Sequence, residues 1–132
     1  MIDTENTLSA LVIDDDPVNR QVAARLLARL DFAAEQAGEG MAGLAMLQRK
    51  RYDAVLLDIA MPGLDGQALL SVLRADPHTS GCYIVAHTGV QGDENHGQLL
   101  CDGFDAVLPK PITPDSLARA LQPLLLAQGY AG

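Results

Sequence analysis

The chain reads as an α/β domain with one open parallel sheet and helices on both faces. Three observations predict it. Short apolar runs recur along the 132 residues, apolar on both sides as a fully buried strand must be. Amphipathic stretches with helical period separate them. The order is strand then helix, five times over, which implies parallel strands joined by right-handed crossovers.

Leu8 to Ile13 is the first run, and it stops at Asp14-Asp15-Asp16. Asp16 is placed to cap the first helix, with Pro17 at its first position. Val18, Val22, Leu26 and Leu30 recur every four residues beside Ala23 and Leu27, and are read as one buried stripe. Ala33 to Ala37 is a weaker strand. Leu44 and Leu47 mark the second helix, whose Gln48-Arg49-Lys50-Arg51 end is solvated. Asp53 precedes the third strand without a chemical duty, and Ala54 to Leu57 stops at Asp58. Asp65-Gly66 forms a turn that opens a helix carrying Leu69, Leu70 and Leu73. Tyr83 to Ala86 stops at His87-Thr88-Gly89. Asp93 to Cys101 reads as a helix weakened by Gly92 and Gly97. Ala106 to Leu108 is the last strand and stops at Pro109-Lys110-Pro111. Thr113-Pro114-Asp115 opens the last helix, with Leu117, Leu121, Leu124 and Leu125 inward. Pro123 inside it should remove a hydrogen bond and bend it.

Bulk composition narrows the function. Hydrophobic residues at 48% and charged residues at 20% suit one globular core rather than disorder. A net charge of −8, no Trp and 4% aromatics argue against direct nucleic-acid binding, which needs basic and stacking surfaces. No apolar run is long enough to span a membrane. Met1 to Asn6 lack the features of a signal peptide, so a cytoplasmic location is expected. Cys82 and Cys101 fit no disulfide or CxxC pattern and are read as reduced, small buried residues. His78, His87 and His96 are too scattered for a metal site.

Ligands of open parallel sheets bind beyond the carboxyl ends of the strands. Four strand ends carry Asp14-Asp15, Asp58, Thr88 and Lys110. Clustered carboxylates repel one another unless a cation intervenes. Mg2+ resolves this with oxygen ligands, commonly one or two carboxylates plus a phosphate. Asp58 could then serve as ligand and as nucleophile in acyl-phosphate chemistry. Lys110 and the Thr88 hydroxyl could neutralise the phosphoryl oxygens, with the Gly89 N–H beside them.

Four stretches in order carry a resemblance. They are Leu11-Val12-Ile13-Asp14-Asp15-Asp16-Pro17-Val18-Asn19-Arg20, Leu56-Leu57-Asp58-Ile59-Ala60-Met61-Pro62-Gly63-Leu64-Asp65-Gly66, His87-Thr88-Gly89 and Gly103-Phe104-Asp105-Ala106-Val107-Leu108-Pro109-Lys110-Pro111-Ile112. Together they resemble the receiver domain of two-component response regulators, over essentially the whole chain. The phrases around Asn19-Arg20 and Gly103 to Ile112 are most similar to receivers of hybrid kinases and phosphorelays.

The resemblance implies a flavodoxin-like, doubly wound (βα)5 fold with strand order 2-1-3-4-5. It implies a single receiver domain over 1–132, with its core at about 8–127. Asp58 would take a phosphoryl group from a histidine kinase or histidine phosphotransfer protein. Mg2+ would be held by Asp15, Asp58 and the backbone carbonyl of Ala60, with Asp14 acting through water. Lys110-Pro111 would be a cis peptide. The output would be altered affinity for a downstream protein, through the last helix and the Asp93 to Cys101 segment. The module would have no separate substrate, would contribute to its own phosphorylation and dephosphorylation, and would be a monomer or weak dimer. No length follows the last helix for an output domain in this sequence.

The sequence departs from the family at Val107, where an aromatic switch residue is common. That motivates an alternative, a phosphate-independent receiver-like adaptor. A small aspartyl-phosphate phosphohydrolase is a third reading. Enzymes of the haloacid dehalogenase type want a second acid two residues after the nucleophile, and Ala60 stands there.

Overall fold

A computed structural model describes residues 7–61, 63, 65–89 and 93–127, with the side chains of 93–96 excepted. The opening Met1 to Asn6, Pro62, Leu64, Gly92 and the closing Gly129 to Gly132 lie outside the described residues. The elements are β1 (Leu8–Ile13), α1 (Pro17–Arg29), β2 (Phe32–Ala37), α2 (Gly40–Arg49), β3 (Ala54–Asp58), α3 (Gly66–Ala75), β4 (Tyr83–Thr88), α4 (Asp93–Asp102), β5 (Ala106–Pro109) and α5 (Pro114–Ala127). The five strands form one sheet in the order β2-β1-β3-β4-β5, every pair parallel. This is the doubly wound order expected. α4 forms despite Gly97.

Strand alternation divides the core in two. Leu11, Ile13, Val55, Leu57, Ile84 and Ala86 meet Leu47 of α2, Leu69, Leu70 and Leu73 of α3 and Leu99 of α4. Ala10, Val12, Ala54, Leu56, Val85 and Leu108 meet Ala23 and Leu27 of α1 and Leu117 and Leu121 of α5. Leu124 and Leu125 are half-buried against the second cluster.

α1 begins as expected. The Asp16 side chain accepts from the N–H of Val18 and Asn19, and Pro17 is the first helical residue. Its buried face is different. Ala23, Ala24 and Leu27 are buried, with Leu26 and Leu30 packed beside them. Val18 is 66% exposed and Val22 41% exposed, so the stripe drawn through them is corrected. A step of four residues overshoots a turn by about 40°. A row drawn that way leaves the contact face at its first members.

One other expectation changes. Cys82 is half-buried and Cys101 is exposed. Burial pushes the Cys82 thiol up to about 12, which leaves it protonated and unreactive. Asp53 has a structural duty, accepting from the N–H of Ser9 at 2.8 Å and from its hydroxyl at 3.3 Å. α5 runs through Pro123 to Ala127. The Tyr83 hydroxyl donates to the Ala120 carbonyl near that interruption, at 2.6 Å.

Gly43 of α2 sits directly on β1. A Cβ there would stand 2.4 Å from Ile13 Cδ1 and 2.8 Å from its Cγ1, and Ile13 is fully buried. Gly43→Ala gains about 1 kcal/mol of helix propensity. Overpacking a closed core costs about 1–3 kcal/mol. The clash should win, and urea denaturation should show a net loss on the order of 1 kcal/mol.

Candidate functional site

The strand ends converge as the sequence implied. Asp58 is the last residue of β3, and Asp14 follows β1. Their carboxylates are almost fully enclosed, at 3% and 1% exposure. Asp15 is exposed at the rim. One oxygen from each of Asp14, Asp15 and Asp58 lies within 4.8 Å of the others. Thr88 is buried at the end of β4, and Lys110 follows β5. The Lys110 N–H donates to the Thr88 carbonyl at 2.8 Å, which ties these two ends together. The Lys110-Pro111 peptide is cis.

Local chemistry fixes the acids. Asp14 Oδ1 accepts from the N–H of Asp16 at 2.9 Å, so the acidic loop braces its own carboxylate. Asp58 Oδ1 accepts from the N–H of Ala60 at 3.2 Å. Lys110 Nζ reaches the same Asp58 oxygen at 3.3 Å and stands 3.9 Å from Asp14 Oδ2. The start of α3 lies against this strand end. The Gly66 N–H donates to Ile59 O at 3.3 Å, and a Cβ on Gly66 would stand 2.8 Å from Asp58 O and from Ile59 Cα. Only glycine permits that approach. Asp65 caps α3 by accepting from the N–H of Ala68.

The electrostatics favour a cation. Burial raises the Asp58 pKa above the usual carboxylate value, and the Asp14 charge raises it further. The Lys110 ammonium and the Ala60 N–H oppose the shift. Asp14 Oδ2 is buried without a hydrogen-bond partner among the described residues. A tight set of hard oxygens with more negative charge than Lys110 offsets is the donor set a small divalent ion takes.

Two side chains at the site were not assigned to it from sequence. Arg20 of α1 donates from Nη1 to the Asp14 carbonyl at 2.8 Å and packs 3.2 Å from where a Gly38 Cβ would be. His87 is 2% exposed, with Nδ1 3.9 Å from Asp14 Oδ2. Burial lowers its pKa from 6.5 to about 4, aided by Lys110, while Asp58 opposes, so the ring is neutral at pH 7. Alternation offered the signal for His87. It pairs with Asp58 in register and continues the row of Val85, as Asp58 continues Leu56. Val107 is half-buried against the core on the α3 and α4 side.

Comparison with known proteins identifies the family and the fold. The response regulator receiver domain family matches residues 10–122. The chain is 32% identical over 111 residues to the transcription factor SKN7 of Saccharomyces cerevisiae, covering 84% of this chain and 18% of that protein. It is 33% identical over 119 residues to the sensor histidine kinase RcsC of Salmonella typhi, covering 90% of this chain and 12% of that protein. The chain thus spans less than a fifth of the length of these relatives. Among solved structures, the chemotaxis response regulator CheY4 of Vibrio cholerae superposes with a TM-score of 0.82 at 26% identity, over 90% of this chain and 99% of that one. A CheY-like receiver domain from Methylobacillus flagellatus gives 0.76 at 30% identity, over 92% and 98%.

Proposed function

Because the chain belongs to the response regulator receiver domain family of two-component signalling, we propose that Asp58 is its phosphoacceptor and that Asp14, Asp15 and Lys110 form the working pocket. The observation that carries the assignment is Asp58 itself. It is a buried carboxylate at a strand end, with two acids within 4.8 Å and Lys110 Nζ at 3.3 Å.

A histidine kinase or phosphotransfer protein supplies the phosphoryl group. An Asp58 oxygen attacks phosphorus as the donor histidine nitrogen leaves, forming an acyl phosphate. Asp15, Asp58 and the Ala60 carbonyl would hold Mg2+, with Asp14 acting through water. When bound, that ion neutralises charge on the transferring group. Lys110 moves from the carboxylates to a phosphoryl oxygen, and the Thr88 hydroxyl donates to another. The same pocket later admits water, so the chain hydrolyses its own acyl phosphate. The domain extends over about 8–127 and signals by changed affinity for a downstream protein.

Incubation with acetyl phosphate and Mg2+ should add one phosphate to the intact protein, read by mass spectrometry. No uptake over a range of Mg2+ concentrations would overturn the assignment. Asp15→Ala should weaken Mg2+ binding and phosphate uptake together, each roughly 10-fold to 100-fold. Calorimetric Mg2+ affinity equal to that of the wild type would remove Asp15 from the metal set.

A further inference from the structure

Arg20 stands beside the acid pocket and pairs with none of its acids. It lies near the start of α1, just behind Asp14, Asp15 and Asp16 in the chain. Its guanidinium forms no ion pair among the described residues. It gives a hydrogen bond instead, from Nη1 to the Asp14 backbone carbonyl at 2.8 Å. Helix side chains lean toward the N-terminus, so an arginine one turn into α1 reaches back to the loop before it. Gly38 leaves room for that reach. A Cβ there would stand 3.2, 3.7 and 4.0 Å from Nη1, Cζ and Nη2, so the guanidinium lies where a side chain would begin.

The carbonyl it holds belongs to the peptide that joins Asp14 to Asp15. A peptide unit is planar, so fixing its oxygen constrains the Cα of the next residue. Asp14 is held in two other ways. Its N–H donates to the Ala37 carbonyl at 3.1 Å, and its Oδ1 accepts from the Asp16 N–H at 2.9 Å. Asp15 has less to hold it, for it is exposed at the rim. Among the described residues its side chain makes no hydrogen bond or ion pair, so the backbone alone brings its carboxylate to those of Asp14 and Asp58. The peptide after Asp15 is held by Asp14 Oδ1, and the peptide before it by Arg20. An arginine paired with these acids would compete with a divalent ion for them. One spent on a backbone carbonyl does not.

We infer that Arg20 is a positioning residue for the Mg2+ site: by holding the Asp14 carbonyl it fixes the peptide from which Asp15 projects. The inference rests on the reading of Asp15 as a Mg2+ ligand. It gives Arg20 no contact with the ion or with a phosphoryl group.

The sign of the effect separates positioning from charge. Taking a cation away from an acidic pocket should by itself tighten Mg2+ binding. Losing the brace should weaken it. Arg20→Met keeps most of the apolar stem and removes the charge and the donors. Arg20→Lys keeps the charge and can supply the single donor in use. Mg2+ affinity is measured by calorimetry on the intact chain without a phosphodonor, and thermal melts without metal check folding. Arg20→Met should bind Mg2+ roughly 10-fold more weakly than wild type, the usual scale for losing a group that orients a ligand. It should melt only a few degrees lower, as suits one partly buried hydrogen bond. Arg20→Lys should recover most of the affinity. A Met variant that binds Mg2+ as tightly as wild type, or more tightly, would overturn the role, as would a Lys variant no better than Met. Wild-type protein that binds no Mg2+ would overturn the acid-pocket reading and this one with it. Wild-type binding that Asp15→Ala weakens and Arg20→Met does not removes only Arg20.

Discussion

An Asp58→Asn protein should take up no phosphate and should melt higher than wild type at neutral pH without added metal. The first effect follows from the loss of the nucleophile, since an amide oxygen does not form the acyl phosphate. The second follows from burial. Asp58 is 3% exposed, and the desolvation of its charge and the nearness of Asp14 both raise its pKa. The folded chain therefore holds this proton to higher pH than the unfolded chain, whose carboxyl titrates near 3.8. Stability is lost as pH rises from there through the raised folded value, and above it the whole cost is present. Lys110 at 3.3 Å offsets only part of that cost. Asparagine carries no charge, so the difference should be on the order of 1 kcal/mol at pH 7, or a few degrees. It should shrink toward zero near pH 3. Added Mg2+ should raise the melting temperature of wild type more than that of the variant. An Asn variant that melts lower than wild type at pH 7 would mean that Lys110 outweighs Asp14, and would remove the argument for a strained acid pocket.

Arg74→Ala should cost the most stability of any single change discussed. Arg74 lies in the last turn of α3, far in sequence from most of what it holds. Nε and Nη2 donate to the Gly103 carbonyl at 3.1 and 2.8 Å. Nη1 donates to the carbonyls of Ser80 and Cys82, both at 2.8 Å. Nη2 also meets Asp105 Oδ2 at 2.7 Å, and that oxygen in turn accepts from the N–H of Ile84. One guanidinium thus joins α3, the entry to β4 and the turn into β5. The ion pair is partly exposed and adds little by itself. The partly buried carbonyls it serves would lose their donor, and together they set the cost at roughly 2–4 kcal/mol, near 10 °C for a chain of this size. Urea denaturation should give that loss. Folded Arg74→Ala protein should still be phosphorylated, because Arg74 holds the opposite ends of the strands. Arg74→Lys should rescue little, since one ammonium cannot reproduce the fork. A change below about 0.5 kcal/mol would reduce Arg74 to an ordinary surface residue.

The contrast between these two residues explains what was legible. Asp58, Asp14 and Lys110 each announce themselves, because a charged residue directly after an apolar run marks a strand end, and parallel strand ends share one edge. The cap at Asp16 and the helix start at Asp65 were readable for the same local reason. Arg74 has no such mark. Its five donor contacts reach residues 6 to 31 positions away, and no periodicity encodes them. The buried face of α1 was misdrawn because local spacing suggests a stripe without saying which side meets the sheet. Contact with the sheet and α5 decided for Ala23 and Leu27.

The sequence by itself determined the order of elements, the parallel sheet and the set of residues gathered at its carboxyl edge. These depend on hydrophobic alternation and on which side chains end each run, both local properties. Tertiary structure alone decided the distances on which the chemistry turns. It brought Lys110 to 3.3 Å from Asp58, across 52 positions of chain. It also placed the neutral ring of His87 beside Asp14, because strand register sets which side chains share a row and burial sets how they ionise.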